Sequence, residues 1–337
     1  MAGYRVAILG ATGAVGRKMV QILEERNFPV KDLRLLATER SAGIEMEFRG
    51  QKVIVEKTSP DKFKGYDLAL FSAGSSVSKR LAPEAVKRGC IVIDNSNAWR
   101  MEDDVPLIVP EVNPADLDSH NGIIANPNCS TIQMVVALKP IEEKYGLSRI
   151  VVSTYQAVSG TGWKAIEELK EQSMHMLKEE SYQPKVYPHP IAFNLLPHID
   201  VFLDNGYSKE EMKMVNETKK IMNRPDLKIS ATAVRVPVYY GHSESVYLET
   251  GQNVSIRELK QVLNRGEGII VYDDLKKEKY PMPNMVKDND QVWVGRIRKD
   301  LDQNNGYHLW VVANNLRKGA ATNAVQIAEK LLERGLL

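Results

Sequence analysis

The sequence YRVAILGATGAVGRKMVQILEE, residues 4–25, is the segment that is most informative about the fold. It begins with an apolar run of strand length and continues through a turn that contains Gly10, Gly13 and Gly16. The residues after the turn place apolar side chains at helical spacing. A strand, a glycine-rich turn and a helix in this order are typical of the first β/α unit of a doubly wound parallel sheet.

Five further runs with the composition of buried strands follow this unit. They are LRLLA (33–37), VIVE (53–56), DLALFSA (67–73), CIVIDNS (90–96) and GIIANP (122–127). A helical segment, LAPEAVKRG at 81–89, lies between two of them. Strands that alternate with helices predict an α/β fold, here a Rossmann-like doubly wound sheet that ends near Asn128.

Beyond Asn128 the pattern changes to that of an α+β domain. Strand-like runs lie at 149–158, 228–238 and 244–251, and helix-like runs at 163–180 and 209–222. The sequence Ser255-Ile-Arg-Glu258 is a capping box that opens another helix. Two runs, QVWVGRIRKD and YHLWVVANN, flank the hairpin signal Asn304-Asn305-Gly306. We therefore expect a mixed or antiparallel sheet in this part of the chain.

The final segment, GAATNAVQIAEKLLERG, predicts a helix that packs on the first domain. It places Val325, Ala328, Leu331 and Leu332 on one helical face, which has to be covered. The chain length of 337 residues favours two domains. The expected domains are residues 1–128 with 317–337, and residues 129–316.

Composition excludes several classes of function. The chain has 45 basic and 43 acidic residues and a net charge of +2, which offers no electrostatic footprint for nucleic acid. No apolar run approaches bilayer length and the N-terminus lacks a signal-peptide layout, so we expect a cytoplasmic protein without a membrane partner. Two cysteines and six histidines show no metal-ligand spacing, so no metal is expected.

The glycine turn favours a dinucleotide ligand. Glycines let the backbone approach a pyrophosphate, and the following helix N-terminus attracts its negative charge. The expected cofactor-binding residues of this turn are Gly10, Thr12, Gly13, Ala14 and Val15.

The end of the second strand is where such folds distinguish NAD from NADP. Glu39 suits a ribose hydroxyl, whereas Arg40 and Ser41 suit a 2′-phosphate. From these residues alone, phosphate binding by Arg40 and a solvated loop arginine are equally good interpretations.

Cys129 lies in the segment Asn126-Pro-Asn-Cys-Ser-Thr131, between the last strand of the first domain and a predicted helix. Ser130 or Thr131 is the expected N-cap of that helix. A thiol at a helix N-terminus has a lowered pKa and is exposed to a ligand at the sheet edge. Taken alone, Cys129 fits a nucleophile and a buried thiol equally well. Cys90, within an apolar strand, is expected to be a core residue.

Seven motifs in order resemble the aspartate-β-semialdehyde dehydrogenase family essentially from end to end. They are GATGAVG, DNSNAWR (94–100) with VPLIVPEVN, NPNCST, TYQAVSGTG (154–162), NETKK (216–220), RVPVYYGHS (235–243) and GAATNAVQIAE. The resemblance implies NADPH-dependent reductive dephosphorylation of L-aspartyl 4-phosphate in the biosynthesis of lysine, threonine and methionine. It also implies that the first domain binds NADP and that the second is catalytic and forms a homodimer, with a tetramer as the alternative.

The resemblance also implies roles for individual residues. Cys129 is the nucleophile that forms a thioester, His242 the acid–base residue, and Gln156 the residue that orients the acyl group. Arg235 and Glu217 bind the α-carboxylate and α-ammonium groups of the substrate. Arg100, Lys220 and Asn95 are the expected ligands of the phosphate, and Ser159, Gly160 and Asn315 those of the nicotinamide half of the cofactor.

Two related enzymes and one non-enzyme are the alternatives. N-acetylglutamyl-phosphate reductase has a different sequence around its cysteine, and malonyl-CoA reductase has a similar NPNC segment but uses a CoA thioester. A catalytically silent relative is disfavoured because Cys129 and His242 are both present. The aromatic sheet face expected around Trp293 and Trp310 is a separate reason to expect a homodimer.

Overall fold

The computed structural model describes residues 3–337, which fold into two compact units. The first unit comprises the chain up to Asn128 and, in addition, Ala320–Leu337. The second unit is Cys129–Gly319. The return to the first unit lies three residues after the expected boundary at 317.

The elements alternate regularly along the first unit and less regularly along the second. The strands are β1 (Tyr4–Leu9), β2 (Val30–Ala37), β3 (Glu45–Phe48), β4 (Gln51–Lys57), β5 (Leu68–Phe71), β6 (Ile91–Asp94), β7 (Ile123–Ala125), β8 (Leu147–Gln156), β9 (Lys228–Arg235), β10 (His242–Thr250), β11 (Ile269–Val271), β12 (Val292–Lys299) and β13 (Gly306–Ala313). The helices are α1 (Ala14–Glu25), α2 (Ser75–Val86), α3 (Cys129–Tyr145), α4 (Trp163–Leu177), α5 (Lys209–Ile221), α6 (Ile256–Arg265) and α7 (Thr322–Glu333).

The first unit contains a seven-stranded sheet with the order β3-β4-β2-β1-β5-β6-β7. All neighbouring pairs are parallel except β3 with β4, a hairpin that the sequence analysis missed. The order reverses at β1, and the carboxyl ends of the strands beside such a reversal form the ligand crevice of doubly wound sheets. The predicted Rossmann-like fold is confirmed.

The last helix packs in the first unit, as its apolar face requires. Val325, Ala328 and Leu331 of α7 are fully buried, and each such aliphatic side chain larger than alanine contributes about 1.5–3 kcal/mol on burial. An ion pair of 2.6 Å between Arg26 and Glu329 joins the end of α1 to α7.

The second unit contains a six-stranded sheet with the order β11-β12-β13-β10-β8-β9. The pairs β8–β9 and β11–β12 are parallel and the other pairs are antiparallel, so of the two expected arrangements, mixed or antiparallel, the sheet is mixed. Helix α3 packs against β8, β10, β12 and β13, and α5 packs against β9. The capping box of Ser255 and Glu258 is present at the start of α6.

Two helix starts differ from the expectations. Helix α3 begins at Cys129, so the expected N-cap at Ser130 or Thr131 is wrong, and both residues lie fully buried in the first turn. Helix α2 begins at Ser75, earlier than the expected residue 81. The sequence does not indicate this start, because the first turn is polar and lacks the apolar periodicity of the rest of the helix.

The two cysteines have different environments. Cys90 is buried in the first unit, and burial raises the pKa of its thiol to about 12, which confirms its interpretation as a core residue. Cys129 is half-buried, and no disulfide joins the two. Within residues 3–337, no helix is long and apolar enough to cross a membrane, and no cluster of His, Cys, Asp or Glu could hold a metal ion.

Candidate active site

The glycine turn between β1 and α1 forms a cradle that side chains would fill. Gly10 has a φ of +82°, and a Cβ there would lie 2.3 Å from the Ser72 carbonyl oxygen. A Cβ on Gly16 would lie 2.2 Å from the Gly10 carbonyl oxygen. Helix α1 begins at Ala14, and no side chain caps it at Gly13. A pyrophosphate therefore fits this turn, since the backbone is accessible and the helix N-terminus favours an anion.

The turn after β2 presents a cation and a hydroxyl. Glu39 forms an ion pair of 2.9 Å with Lys57. Arg40 is exposed and makes no hydrogen bond or ion pair with any residue that the structure describes. Ser41 follows it at the end of a short 3₁₀ turn. The acidic side chain is thus engaged, whereas the Arg40 guanidinium remains available to a ligand.

In the second unit, Cys129 is held at the first position of α3 by a close backbone contact. A Cβ on Gly319 would lie 2.8 Å from the Cβ of Cys129. Gly319 belongs to a π-helical turn, Arg317–Ala321, and such turns are frequent at functional sites. The role of Gly319 was not predictable from the sequence, because one glycine before a helix gives no sign of a distant contact.

His242 is fully buried at the start of β10. The Ala157 backbone N–H donates to its Nδ1 at 3.0 Å, while its Nε2 is buried without a partner. Burial lowers the pKa of the ring well below 6.5, the positive charge of Arg235 lowers it further, and the Gly241 backbone weakly opposes the shift. The ring is therefore neutral, and because Nδ1 accepts a hydrogen bond, its one proton lies on Nε2.

Arg235 and His242 face the same small space beside Gly160. Arg235 is buried at the end of β9 and donates from Nη1 to the Ala157 carbonyl oxygen at 2.7 Å, while its Nε has no partner. A Cβ on Gly160 would lie 2.9 Å from Arg235 Nη1 and 3.3 Å from His242 Nε2. The guanidinium of Arg235 and the unpartnered Nε2 of His242 thus border one space, which suits a ligand with oxyanions.

Gln156, at the end of β8, is oriented by its neighbours. Its Nε2 donates to Thr154 Oγ1 at 3.3 Å and to Glu210 Oε1 at 3.2 Å. Glu210 also pairs with Lys213 at 3.1 Å. Both amide protons of Gln156 are thereby occupied, so its carbonyl oxygen is the atom offered to a ligand. Glu210 is a supporting residue that the sequence analysis did not find.

Ser159 and Asn315 hold the backbone just before His242. Their side chains hydrogen-bond each other, with 2.9 Å between Asn315 Nδ2 and Ser159 Oγ. The Gly241 backbone N–H donates to Asn315 Oδ1 at 3.0 Å. These two predicted nicotinamide ligands therefore also fix the loop that carries the histidine.

The remaining predicted substrate ligands are distributed over both units. Glu217 is buried on α5, and Lys220 is half-buried one turn later. In the first unit, Arg100 donates to the carbonyl oxygens of Asn126 and Asn95, each at 2.9 Å. The Asn95 side chain donates to Phe71 O and accepts from Asn126, so it supports this loop from within.

The first unit contains a dinucleotide cradle, and the second contains a cysteine, a histidine and an arginine. These features are typical of the class of nicotinamide-dependent dehydrogenases that work through a thiol. Residues 5–120 match the family "Semialdehyde dehydrogenase, NAD binding domain", and residues 138–318 match "Semialdehyde dehydrogenase, dimerisation domain".

Full-length relatives narrow this class. The chain is 55% identical over 343 aligned residues to the aspartate-semialdehyde dehydrogenase of Bacillus subtilis, with 99% of each chain covered. It is 58% identical to that of Aquifex aeolicus, covering 99% of this chain and 100% of the relative. A crystal structure of aspartate semialdehyde dehydrogenase II from Vibrio cholerae, complexed with ASA, superimposes with a TM-score of 0.97 at 47% identity and 99% coverage of both chains. The chain belongs to the aspartate-semialdehyde dehydrogenase family.

Proposed function

We propose that the protein interconverts L-aspartyl 4-phosphate and L-aspartate 4-semialdehyde, with NADP(H) as cofactor and a thioester on Cys129 as intermediate. Family membership supports the substrate. The observation in the structure that carries the proposal is a pair of buried donor groups beside Gly160, the Arg235 guanidinium, whose Nε has no partner, and the unpartnered His242 Nε2. This pair supplies one charged donor for a carboxylate and one neutral donor for an oxyanion.

The substrate is held by charge. Arg235 binds the α-carboxylate through a charge-assisted hydrogen bond, and Glu217, a buried acidic residue on α5, receives the α-ammonium group. Arg100 and Lys220 bind the phosphate that enters or leaves. Asn95 acts through the Arg100 loop, because its side chain is already bonded to Phe71 and Asn126.

In the reductive direction, the Cys129 thiolate attacks the acyl carbon of the substrate. The oxyanion of the tetrahedral species accepts a hydrogen bond from His242 Nε2. The carbon–oxygen bond to phosphate then breaks, phosphate leaves with the electron pair, and the thioester remains. Since the imidazole is neutral with its proton on Nε2, the structure supports a donor role rather than abstraction of the thiol proton.

Reduction requires a hydride, which the nicotinamide supplies when it is bound. The second tetrahedral species again places negative charge on oxygen within reach of the His242 donor. Its collapse breaks the bond between Sγ and carbon, releases the aldehyde and restores the Cys129 thiolate. Gln156 offers its carbonyl oxygen to this site throughout, because Glu210 and Thr154 fix its amide group.

The preference for NADP over NAD is supported by the turn after β2. The 2′-phosphate of NADP fits between the available Arg40 guanidinium and the Ser41 hydroxyl. Glu39, which would repel that phosphate, forms an ion pair with Lys57. These contacts are solvated, so we expect a preference and not an absolute requirement.

The dimerisation domain is proposed to form a homodimer through the outer face of its sheet. Tyr155, Ser245, Trp293 and Trp310 lie on the face opposite to α3 and remain half-buried in one copy. The rings of Tyr155 and Trp310 pack against each other at 5.4 Å. An aromatic face of this kind is covered by a second copy in soluble proteins. Light scattering at micromolar concentration tests this, and a fully active monomer would refute it.

The enzymatic test is the reverse reaction with purified protein. Aspartate semialdehyde and inorganic phosphate should reduce NADP, and omission of phosphate should abolish the reaction. N-acetylglutamate semialdehyde as substrate tests for N-acetylglutamyl-phosphate reductase activity. CoA in place of phosphate tests for the CoA-dependent reaction of a malonyl-CoA reductase. Activity with either of these, and none with aspartate semialdehyde and phosphate, would overturn the assignment. Cys129→Ala is the matched control in every arm.

A further inference from the structure

Glu244 is a fully buried carboxyl group that the proposed reaction does not use. It lies two residues after His242 on β10, so the two side chains point to the same face of the sheet. Its cross-strand neighbours are Thr154 on β8 and Val311 on β13. Neither oxygen of Glu244 has a partner at hydrogen-bonding geometry. A buried carboxyl in this condition is costly, so its position needs an explanation.

Gln133 of α3 is the side chain best suited to form hydrogen bonds with the Glu244 carboxyl group. Gln133 lies four residues after Cys129, on the same face of the helix, and is almost completely buried. Its Nε2 donates to the His242 backbone carbonyl oxygen at 3.4 Å, and its Oε1 is buried without a donor. Among the described residues, Gln133 is also the side chain whose amide influences the pKa of the Glu244 carboxyl.

The protonation state of Glu244 follows from its surroundings. Burial raises the pKa of the carboxyl well above 4.5, and the nearby Gln133 amide opposes this to a smaller extent. His242 is the titratable neighbour on the same strand and is itself neutral, and among the described residues no charged side chain contributes to the shift. An ionised Glu244 would also leave the Gln133 carbonyl oxygen without a donor. A neutral acid satisfies both groups.

We propose that Glu244 is a positioning residue whose protonated carboxyl pairs with the Gln133 amide and thereby fixes the helix of the nucleophile to the strand of the histidine. The Glu244 O–H donates to Gln133 Oε1, and one Gln133 N–H donates to the Glu244 carbonyl oxygen. The second N–H of Gln133 keeps its bond to the His242 backbone. This cyclic pair satisfies three otherwise unpartnered buried oxygens at once.

The inference rests on the proposed function for the roles of Cys129 and His242, but its test does not require the substrate. The first measurement is the infrared carbonyl band of a protonated carboxylic acid, recorded in wild type and in Glu244→Gln at neutral and mildly alkaline pH. The second is the rate of Cys129 alkylation by iodoacetamide as a function of pH. Steady-state kinetics of the same variants form the third.

Glu244→Gln keeps a donor and an acceptor, so it should lose the infrared band and retain alkylation and kcat within a few-fold. Gln133→Ala and Glu244→Ala each remove the pair. Both should change the pH profile of alkylation and lower kcat on the order of 10–100-fold with little change in KM, since misplacement of a reacting group acts on the chemical step. The double variant should be no worse than either single variant, because both remove the same contact.

If Glu244→Ala does not fold, Glu244→Gln and Gln133→Ala still decide the question. Absence of the infrared band from wild type, or additive losses in the double variant, would overturn the pairing. A Gln133→Ala enzyme with unaltered alkylation and kcat would show that the contact serves stability alone. Normal spectroscopic and alkylation results together with no turnover of aspartate semialdehyde would instead contradict the proposed substrate.

Discussion

Substitution of Gly160 by alanine adds one methyl group to the space between Arg235 and His242. Gly160 has no positive φ, so alanine is compatible with the backbone and the effect is steric. The new Cβ would lie 2.9 Å from Arg235 Nη1, about 0.5 Å inside ordinary contact distance. Arg235 cannot move away without losing its 2.7 Å hydrogen bond to the Ala157 carbonyl oxygen. Ala157 also holds His242, because its backbone N–H donates to Nδ1 of the ring.

Because both donors are displaced together, we expect kcat/KM of Gly160→Ala to fall about 100-fold, equivalent to about 2.7 kcal/mol of transition-state stabilisation. Thermal unfolding should change little, since Gly160 is exposed to solvent. Thr161→Ala is the matched control, because it alters the same short turn and removes only the contact of Thr161 with Tyr187. Near-wild-type kinetics for Gly160→Ala would refute the inference that Arg235 and His242 act in this space.

Three further predictions concern the cofactor, the thiol and pH. Cys129→Ala should abolish turnover while NADPH binding, measured by fluorescence titration, is retained; residual turnover would contradict the thioester route. Arg40→Ala should weaken NADP by about 1.5–3 kcal/mol and NAD much less, and equal losses would show that Arg40 is structural. His242 is neutral when folded and takes up a proton near pH 6.5 when unfolded, so stability should fall as the pH drops through that value; His242→Gln should show a shallower fall in its melting temperature.

Periodicity and glycine chemistry made the fold predictable from the sequence. The apolar run before Gly10 and the helical spacing after Gly16 are local patterns, and local patterns also marked β12 and β13 around their hairpin. The start of α3 was misjudged because Ser130 and Thr131 are good N-cap residues in isolation. In the structure, tertiary packing draws both into the first turn, and the helix begins at the residue of greatest chemical interest, Cys129.

The supporting residues were harder to find, since their importance depends on contacts between distant segments. Glu210 is an ordinary residue of a helix start until the fold brings it to Gln156. Gln133 is one polar residue in an apolar helix. Glu244 did carry a signal, because it is in phase with Val246 and Leu248, which the alternation of β10 directs into the core. A carboxyl in phase with core residues predicts a buried acid, and buried acids are concentrated at functional sites.

The electrostatics of the second unit assign the proposed proton donor to β10 and the proposed nucleophile to α3. Arg235, which we propose binds the substrate carboxylate, lies so close to His242 that it disfavours a second positive charge on the ring. In the proposed mechanism, His242 stays neutral with Nδ1 bonded to the Ala157 N–H, so it donates its Nε2 proton and does not remove the proton of the thiol. The Cys129 thiolate of this mechanism then has to be stabilised by another group, and the N-terminus of α3 has the matching polarity at that residue. The exact placement of α3 against β10 therefore matters for the reaction, which is what a neutral Glu244 bonded to Gln133 would secure.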